Sequence, residues 1–140
     1  MNTIQSLTIG ALSEQTAVKI ETIRFYERLG ILPAPPRSTG GHRLYSKDHK
    51  QRLTFIRRAR ELGFSLNEIR ALLGLDDGRR TTCAKAKIIT ELHIADIRRR
   101  IKELKRLECA LSKMVARCPP GNETPDCPII DALALDAPCR

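Results

Sequence analysis

The sequence has few aromatic side chains and no long apolar run. Aromatic residues make up 4 % of its 140 residues and Trp is absent, so we expect no large aromatic core. No apolar stretch approaches the ~20 residues that a membrane-spanning helix needs, which excludes a membrane protein of that kind. The first residues also lack a basic segment followed by a long apolar core. We therefore expect no secretion signal and a cytoplasmic protein.

The motifs of several common enzyme classes are also missing. The chain contains no G-x-G-x-x-G, no H-E-x-x-H and no C-x-x-C, so we predict neither catalytic residues nor an enzyme. Disulfides are uncommon in the cytoplasm. The five cysteines are therefore better interpreted as metal ligands, redox groups or buried thiols than as a disulfide framework.

The charge of the chain is strongly unbalanced. Lys and Arg number 25 against 16 Asp and Glu, which gives a formal net charge of +9 at pH 7. Such a balance favours a polyanionic partner such as nucleic acid, although basic charge alone does not identify one. Many charged residues and few aromatic ones favour a helical protein with much surface for each residue.

Residues 1–75 have the pattern of a small helical domain. Helices are predicted over residues 9–16, with Thr8 as cap, and over 20–29, with a tight turn between them. Ser46 is expected to cap a third helix through residue 62, and an S-x-x-E capping box opens a fourth through 75. Prolines exclude a helix in the segment between the second and third predicted helices. In that segment Gly40-Gly41 predicts a two-stranded hairpin.

A long helix follows a predicted hinge at residues 76–82. Apolar residues recur there at steps of three and four, namely Ile94, Ile97, Ile101, Leu104, Leu107, Leu111 and Met114. This a/d stripe predicts a coiled-coil dimerisation helix over residues 83–117, because about 34 residues far exceeds the ~10–14 usual in globular proteins. The alternative is an amphipathic helix that packs on its own domain. A loop, a short helix from Pro128 and a tail fill residues 118–140.

Two short helices ahead of a Gly-Gly hairpin indicate a winged helix-turn-helix, which binds double-stranded DNA. We expect Ile23 and Phe25 to face the core, while Arg57, Arg58 and Arg60 add positive charge. Hydroxyls and cations suit base edges and phosphate oxygens, although the same side chains are also compatible with a solvated surface. The candidate DNA contacts are Thr22, Arg24 and Tyr26 in the second helix, and Arg37, His42, Arg43 and Tyr45 in the wing.

Three segments, TIGALSEQTAVKIETIRFYERLGIL, RSTGGHRLYS and ARELGFSLNEIRALL, resemble the MerR family of bacterial transcription regulators. The resemblance covers nearly the whole chain. It implies a mainly α homodimer with a winged helix-turn-helix at each end and an antiparallel coiled coil between them. It also implies a mechanism, in which the effector makes the dimer distort and underwind a promoter with widely spaced −35 and −10 elements, so that RNA polymerase can use it.

The placement of three cysteines predicts a shared metal site. Cys83 and Cys118 are 118 − 83 = 35 residues apart, or about 50 Å along a helix. They therefore cannot share a ligand within one chain, but two antiparallel chains would bring them together. Within the resemblance, Cys83, Cys118 and Cys127 match the three positions that bind Hg(II) in mercury-responsive members. Copper(I) and gold(I) sensors of the family instead have serine at the position of Cys83.

Several alternatives stay open for these cysteines. Soft thiolates select soft ions, and three of them suit Hg(II) better than Zn(II), which prefers four ligands. Glu123, Asp126 and Cys139 are possible additional ligands, so Zn(II), Cd(II) and Pb(II) remain alternative effectors. Cys109 is expected to be a small residue near the helix seam. A thiol redox switch, a metal buffer and simple buried thiols are the competing interpretations.

Overall fold

The computed structural model describes residues 6–118, 121 and 127–134. Six helices lie within these residues: α1 (Ile9–Thr16), α2 (Ile20–Arg28), α3 (Lys47–Glu61), α4 (Leu66–Leu72), α5 (Cys83–Ala116) and α6 (Pro128–Ala134). The chain divides into two compact units, Met1–Ile89 and Thr90–Arg140. The mainly α fold class predicted from the sequence is confirmed.

The first unit contains α1 to α4 and the first residues of α5 around one apolar core. α1 packs against α2 and α3, and α3 packs against α4. The side chains at its centre have no exposed surface: Leu12, Ile23, Ile31, Leu32, Leu53, Ile56 and Ile69. Aliphatic side chains supply most of this core, in agreement with the low aromatic content.

Side-chain caps fix the starts of α1, α3 and α4. The Thr8 hydroxyl accepts from the Ala11 amide at 3.1 Å and so begins α1. Ser65 and Glu68 form the predicted capping box of α4, in which the Glu68 amide donates to the Ser65 hydroxyl at 3.1 Å. Each cap satisfies an amide that the first helical turn leaves unpaired. The positions of these helices therefore follow closely from the sequence.

The predicted hairpin is present as isolated bridges instead of extended strands. Arg37 pairs with Arg43 across the turn at Gly40-Gly41, and Leu7 pairs with Tyr45. Gly41 adopts a φ of +80°, a left-handed conformation that glycine tolerates and other residues rarely adopt. The hairpin thus forms a short wing that is joined to the segment ahead of α1.

α4 ends at Leu72, three residues earlier than predicted, because the chain turns sharply at Gly74. Gly74 has a φ of +69°, and a Cβ placed on it would lie 2.0 Å from the carbonyl oxygen of Arg79. The Thr81 hydroxyl donates to the Ala71 carbonyl at 2.8 Å, which ties the segment to α4. The chain between α4 and α5 is therefore tightly folded against α4.

α5 is a 34-residue helix that begins at Cys83. Thr82 precedes it and accepts from the Lys85 amide through its hydroxyl at 3.2 Å. Six of the seven residues of the predicted stripe are exposed: Ile94, Ile97, Ile101, Leu104, Leu107 and Leu111. Within the described ranges, no helix is both long enough and apolar enough to cross a membrane.

Candidate DNA-binding surface and metal site

The turn between α1 and α2 has the compact geometry of a helix-turn-helix. Ala17 takes a left-handed conformation with a φ of +57°, so the chain reverses within three residues before Ile20 opens α2. The Ser13 hydroxyl donates to the Val18 carbonyl at 2.6 Å and holds the turn closed. This local structure exposes one face of α2, on which Arg24 lies.

The residues that α2 buries and exposes differ in part from those predicted from the sequence. Ile23 is fully buried as expected, but Phe25 is 41 % exposed and Tyr26 only 8 %. The prediction for Phe25 is wrong because residues two apart point to nearly opposite sides of a helix, whereas residues three apart share a face. Most of the Tyr26 ring therefore belongs to the core and not to an open DNA-contacting surface.

A cleft of about 400 Å³ adjoins Tyr26 and Thr22 at the start of α2. Lys19, Arg57 and Arg60 also line it, together with Glu61, which pairs with Arg57 at 3.5 Å. Among the described residues, the Nε atom of Arg57 is buried without a hydrogen-bond partner. Lys19 was not among the candidates from the sequence, although a cation in the turn of a helix-turn-helix was a usable signal.

The basic side chains of the wing differ in their exposure to solvent. Arg37 and His42 are exposed near its tip, as the predicted DNA contacts require. Arg43 is 34 % exposed, and its guanidinium donates to a carboxylate oxygen of Glu27 at 2.8 Å. Arg43 therefore contacts α2 in this conformation, an arrangement that the sequence reasoning did not foresee.

Tyr45 is a core residue and not an exposed wing residue. It has no exposed surface, and its hydroxyl donates to the other carboxylate oxygen of Glu27. Burial raises the pKa of Tyr45 to about 12, so the hydroxyl remains a donor at ordinary pH. The prediction that Tyr45 contacts a phosphate is therefore wrong for this conformation, because the side chain points inward to α2.

The cysteines of the candidate metal site lie at the ends of helices. Cys83 is the first residue of α5 and is exposed, while Cys118 follows the last turn of that helix and is half-buried. Cys127 is half-buried and directly precedes α6, where its carbonyl accepts from the Asp131 amide at 3.0 Å. The described cysteines are all free thiols.

No group of three His, Cys, Asp or Glu side chains close enough to hold a metal occurs in the described part of the single chain. Cys109 is exposed on α5. The possible additional ligands Glu123, Asp126 and Cys139 lie outside the described residues.

Comparison with known proteins identifies the family. The model for MerR HTH family regulatory proteins matches residues 7–75, and a model described as MerR, DNA binding, matches residues 50–114. A mercuric resistance operon regulatory protein from Bacillus cereus is 46 % identical over 125 residues, which cover 89 % of this chain and 95 % of that protein. The chain belongs to the MerR family. This MerR-family chain is accordingly a DNA-binding transcription regulator.

Two solved structures of MerR-family regulators are similar over almost the whole chain. One is the lead(II) complex of PbrR691 from Ralstonia metallidurans CH34, with a TM-score of 0.77, 39 % identity, and coverage of 91 % of this chain and 98 % of that one. The other is the mercury(II) complex of MerR from Bacillus megaterium MB1, with a TM-score of 0.72, 39 % identity, and coverage of 92 % and 100 %. The winged helix-turn-helix fold predicted from the sequence agrees with both.

Proposed function

We propose that this MerR-family protein regulates a mercury-resistance operon and binds Hg(II) through Cys83, Cys118 and Cys127 across a homodimer interface. The observation that carries the proposal is the placement of cysteines at opposite ends of one long helix. α5 has 34 residues, which corresponds to about 50 Å. A site that uses both ends of α5 therefore needs a second chain that runs antiparallel to the first.

The exposed stripe of α5 supports such a homodimer. Leu104, Leu107 and Leu111 are 64 %, 60 % and 56 % exposed in the single chain. Complete burial of one large aliphatic side chain contributes about 1.5–3 kcal/mol. The six side chains of the stripe are 38–64 % exposed, so burying the remaining surface on two helices contributes roughly 9–18 kcal/mol, which is comparable to the 4–15 kcal/mol that association is estimated to cost.

The donor set fits a soft, thiophilic ion. Three thiolates from two chains supply three soft ligands, which suit Hg(II), whereas carboxylate-rich sites favour harder ions. Cys83 lies at the N-terminus of α5 and Cys127 just before α6. When bound, the metal would join the C-terminal loop of one chain to the start of α5 in its partner.

DNA binding is assigned to the winged helix-turn-helix of each chain. Thr22 and Arg24 on α2, with Arg37 and His42 on the wing, are the proposed contacts to bases and phosphates, while Tyr26 lines the adjacent cleft. As the family resemblance implies, metal binding converts a dimer already on the promoter into a form that distorts the DNA. RNA polymerase at the same promoter would then read the realigned −35 and −10 elements.

A second effector has a specific observation in its favour. The similarity to the lead(II)-bound regulator is as strong as that to the mercury(II)-bound one, at the same 39 % identity. Zn(II) and Cd(II) are further divalent alternatives if ligands outside the described residues complete the site. Overall similarity therefore supports a divalent metal sensor, and the three-thiolate set favours Hg(II) within that class.

Titration of the reduced full-length protein with Hg(II), Pb(II), Cd(II) and Zn(II) tests the choice of effector. Transcription from the cognate promoter is measured with RNA polymerase at each metal concentration. We expect Hg(II) to activate at the lowest concentration. Activation by Pb(II) at lower concentrations than Hg(II) would overturn the mercury assignment, and no response to any of the four ions would overturn metal sensing.

Serine substitutions test the composition of the site. Cys83→Ser, Cys118→Ser and Cys127→Ser should each abolish the Hg(II) response and leave promoter binding intact, whereas Cys109→Ser serves as a matched control on α5. Mixed dimers of Cys83→Ser with Cys118→Ser chains should regain one of the two sites. That site combines the intact Cys83 of the Cys118→Ser chain with the intact Cys118 and Cys127 of the Cys83→Ser chain. Mixed dimers that bind no Hg(II) would contradict a site shared between chains.

A further inference from the structure

Glu27 lies in the last turn of α2, where it joins that helix to the wing. One carboxylate oxygen accepts from the Arg43 guanidinium at 2.8 Å, and the other accepts from the Tyr45 hydroxyl. The Glu27 side chain is only 9 % exposed. Its partners follow 16 and 18 residues later in the chain. The carboxylate is thus a tertiary contact between two segments that both carry proposed DNA contacts.

A carboxylate at this position is unfavourable for DNA binding on charge alone. The partner is a polyanion, and each negative charge near the interface weakens the attraction that cations provide. A buried carboxylate must also be compensated by donors, which Arg43 and Tyr45 provide here. A structural benefit must therefore offset its electrostatic cost to DNA binding.

That benefit is the attachment of the wing to α2. The wing backbone pairs with itself, as in the Ser38 amide that donates to the His42 carbonyl at 2.7 Å, and with Leu7 through Tyr45. The Glu27 cluster adds the link from the wing to α2. Hydrogen bonding to Tyr45 and the charge of Glu27 raise the pKa of Arg43, so both donors stay protonated at ordinary pH.

We propose that Glu27 is a positioning residue for DNA recognition, which acts through Arg43 and Tyr45 to hold the wing in a fixed place beside α2. The inference rests on the proposed DNA contacts of α2 and the wing. It assigns Glu27 no contact with DNA. Its substitution removes protection at the phosphates that the wing contacts, while the contacts of α2 remain.

The test compares two substitutions that change the charge identically. Glu27→Gln and Glu14→Gln each remove one negative charge, and Glu14 is an exposed residue of α1 without an assigned role. Operator affinity of the full-length dimer is measured by fluorescence anisotropy at fixed salt. Charge alone predicts tighter binding for both variants, whereas the proposal predicts about tenfold weaker binding for Glu27→Gln only, equivalent to about 1.4 kcal/mol.

Hydroxyl-radical footprints separate positioning from a general loss of structure. With Glu27→Gln, protection that depends on Arg37 should be lost and protection that depends on Arg24 retained; uniform loss of both would overturn the proposal. If Glu27→Gln does not fold, Tyr45→Phe, which keeps the buried ring, should give the same selective loss. A Glu27→Gln variant that binds as tightly as Glu14→Gln would also overturn it, whereas failure of the unsubstituted protein to bind operator would refute the proposed function itself.

Discussion

Gly74 offers a sharp test of the turn between α4 and α5. Its φ of +69° is strained for any residue with a Cβ, and an added Cβ would lie 2.0 Å from the Arg79 carbonyl oxygen. Gly78 provides a matched control in the same turn, because it has a φ of +61° and no atom within 4 Å of an added Cβ. Alanine at Gly78 therefore carries the conformational penalty alone, whereas alanine at Gly74 also displaces backbone.

The expected losses of stability differ accordingly. The left-handed conformation costs an alanine about 1 kcal/mol relative to glycine, and this is our estimate for Gly78→Ala. In Gly74→Ala the Arg79 carbonyl must move, which also disrupts the 2.8 Å hydrogen bond from Thr81 to the Ala71 carbonyl. Loss of one such bond adds about 0.5–1.5 kcal/mol, so we expect Gly74→Ala to lose about 1.5–2.5 kcal/mol of stability.

Urea denaturation followed by circular dichroism measures both variants. Protein concentration must be the same in every sample, because association would contribute to the stability of the proposed dimer. The midpoint for Gly74→Ala should fall clearly below that for Gly78→Ala, with similar slopes against urea. Equal midpoints for the two variants would refute the argument that the Arg79 carbonyl closes this turn against Gly74.

Three further outcomes are expected. Arg24→Ala should weaken operator binding by about 1–3 kcal/mol and relax sequence preference; an unchanged footprint would remove Arg24 from base recognition. Because burial raises the pKa of Tyr45 to about 12, the folded chain keeps a proton that the unfolded chain loses near pH 10. Stability should therefore fall between pH 10 and 12, by up to about 1.4 kcal/mol per pH unit, and Tyr45→Phe should lack this component; equal slopes would contradict it. Ile101→Glu should shift sedimentation from dimer to monomer, unlike Lys102→Glu, and an unchanged dimer would exclude that part of α5 from the interface.

Local sequence signals were sufficient for most of the fold. Helix starts at Thr8 and Ser65 were found because a cap is a contact between residues three apart. The C-terminal ends of helices are predicted less accurately than their starts. α4 ends at Leu72 because the chain turns at Gly74, and that left-handed turn depends on contact with the later segment around Arg79. The wing was predicted as two strands but forms only isolated bridges in the described residues.

The candidate DNA surface is only partly predictable from the sequence. On α2, Phe25 was expected in the core but is exposed, whereas Tyr26 was expected at the surface but is buried. Ile23 and Tyr26 share the buried face, and helical periodicity alone would have excluded Phe25. Glu27 lies on the same side, four residues after Ile23, so its position predicts partial burial and a need for a cation. Its identification as the partner of Arg43 and Tyr45 required the fold, because 16 to 18 residues separate them.

For the metal site the sequence predicts a set of residues but no geometry. The separation of Cys83 and Cys118 along α5 follows from sequence and helix rise. The assignment of three thiols to a common ion requires a second chain, and contributions from residues beyond those described would alter the choice of metal. The three cysteines therefore remain a prediction that the serine substitutions and mixed dimers address directly.

The apolar surface that α5 leaves in water has a genetic consequence. The proposed pairing through this helix needs no working recognition helix in both copies, so a fragment that retains α5 would capture intact chains. Hybrids of that kind carry one DNA-reading end instead of two. Expression of such a fragment in a resistant cell should therefore be dominant-negative, with induction declining as the fragment outnumbers the full-length regulator.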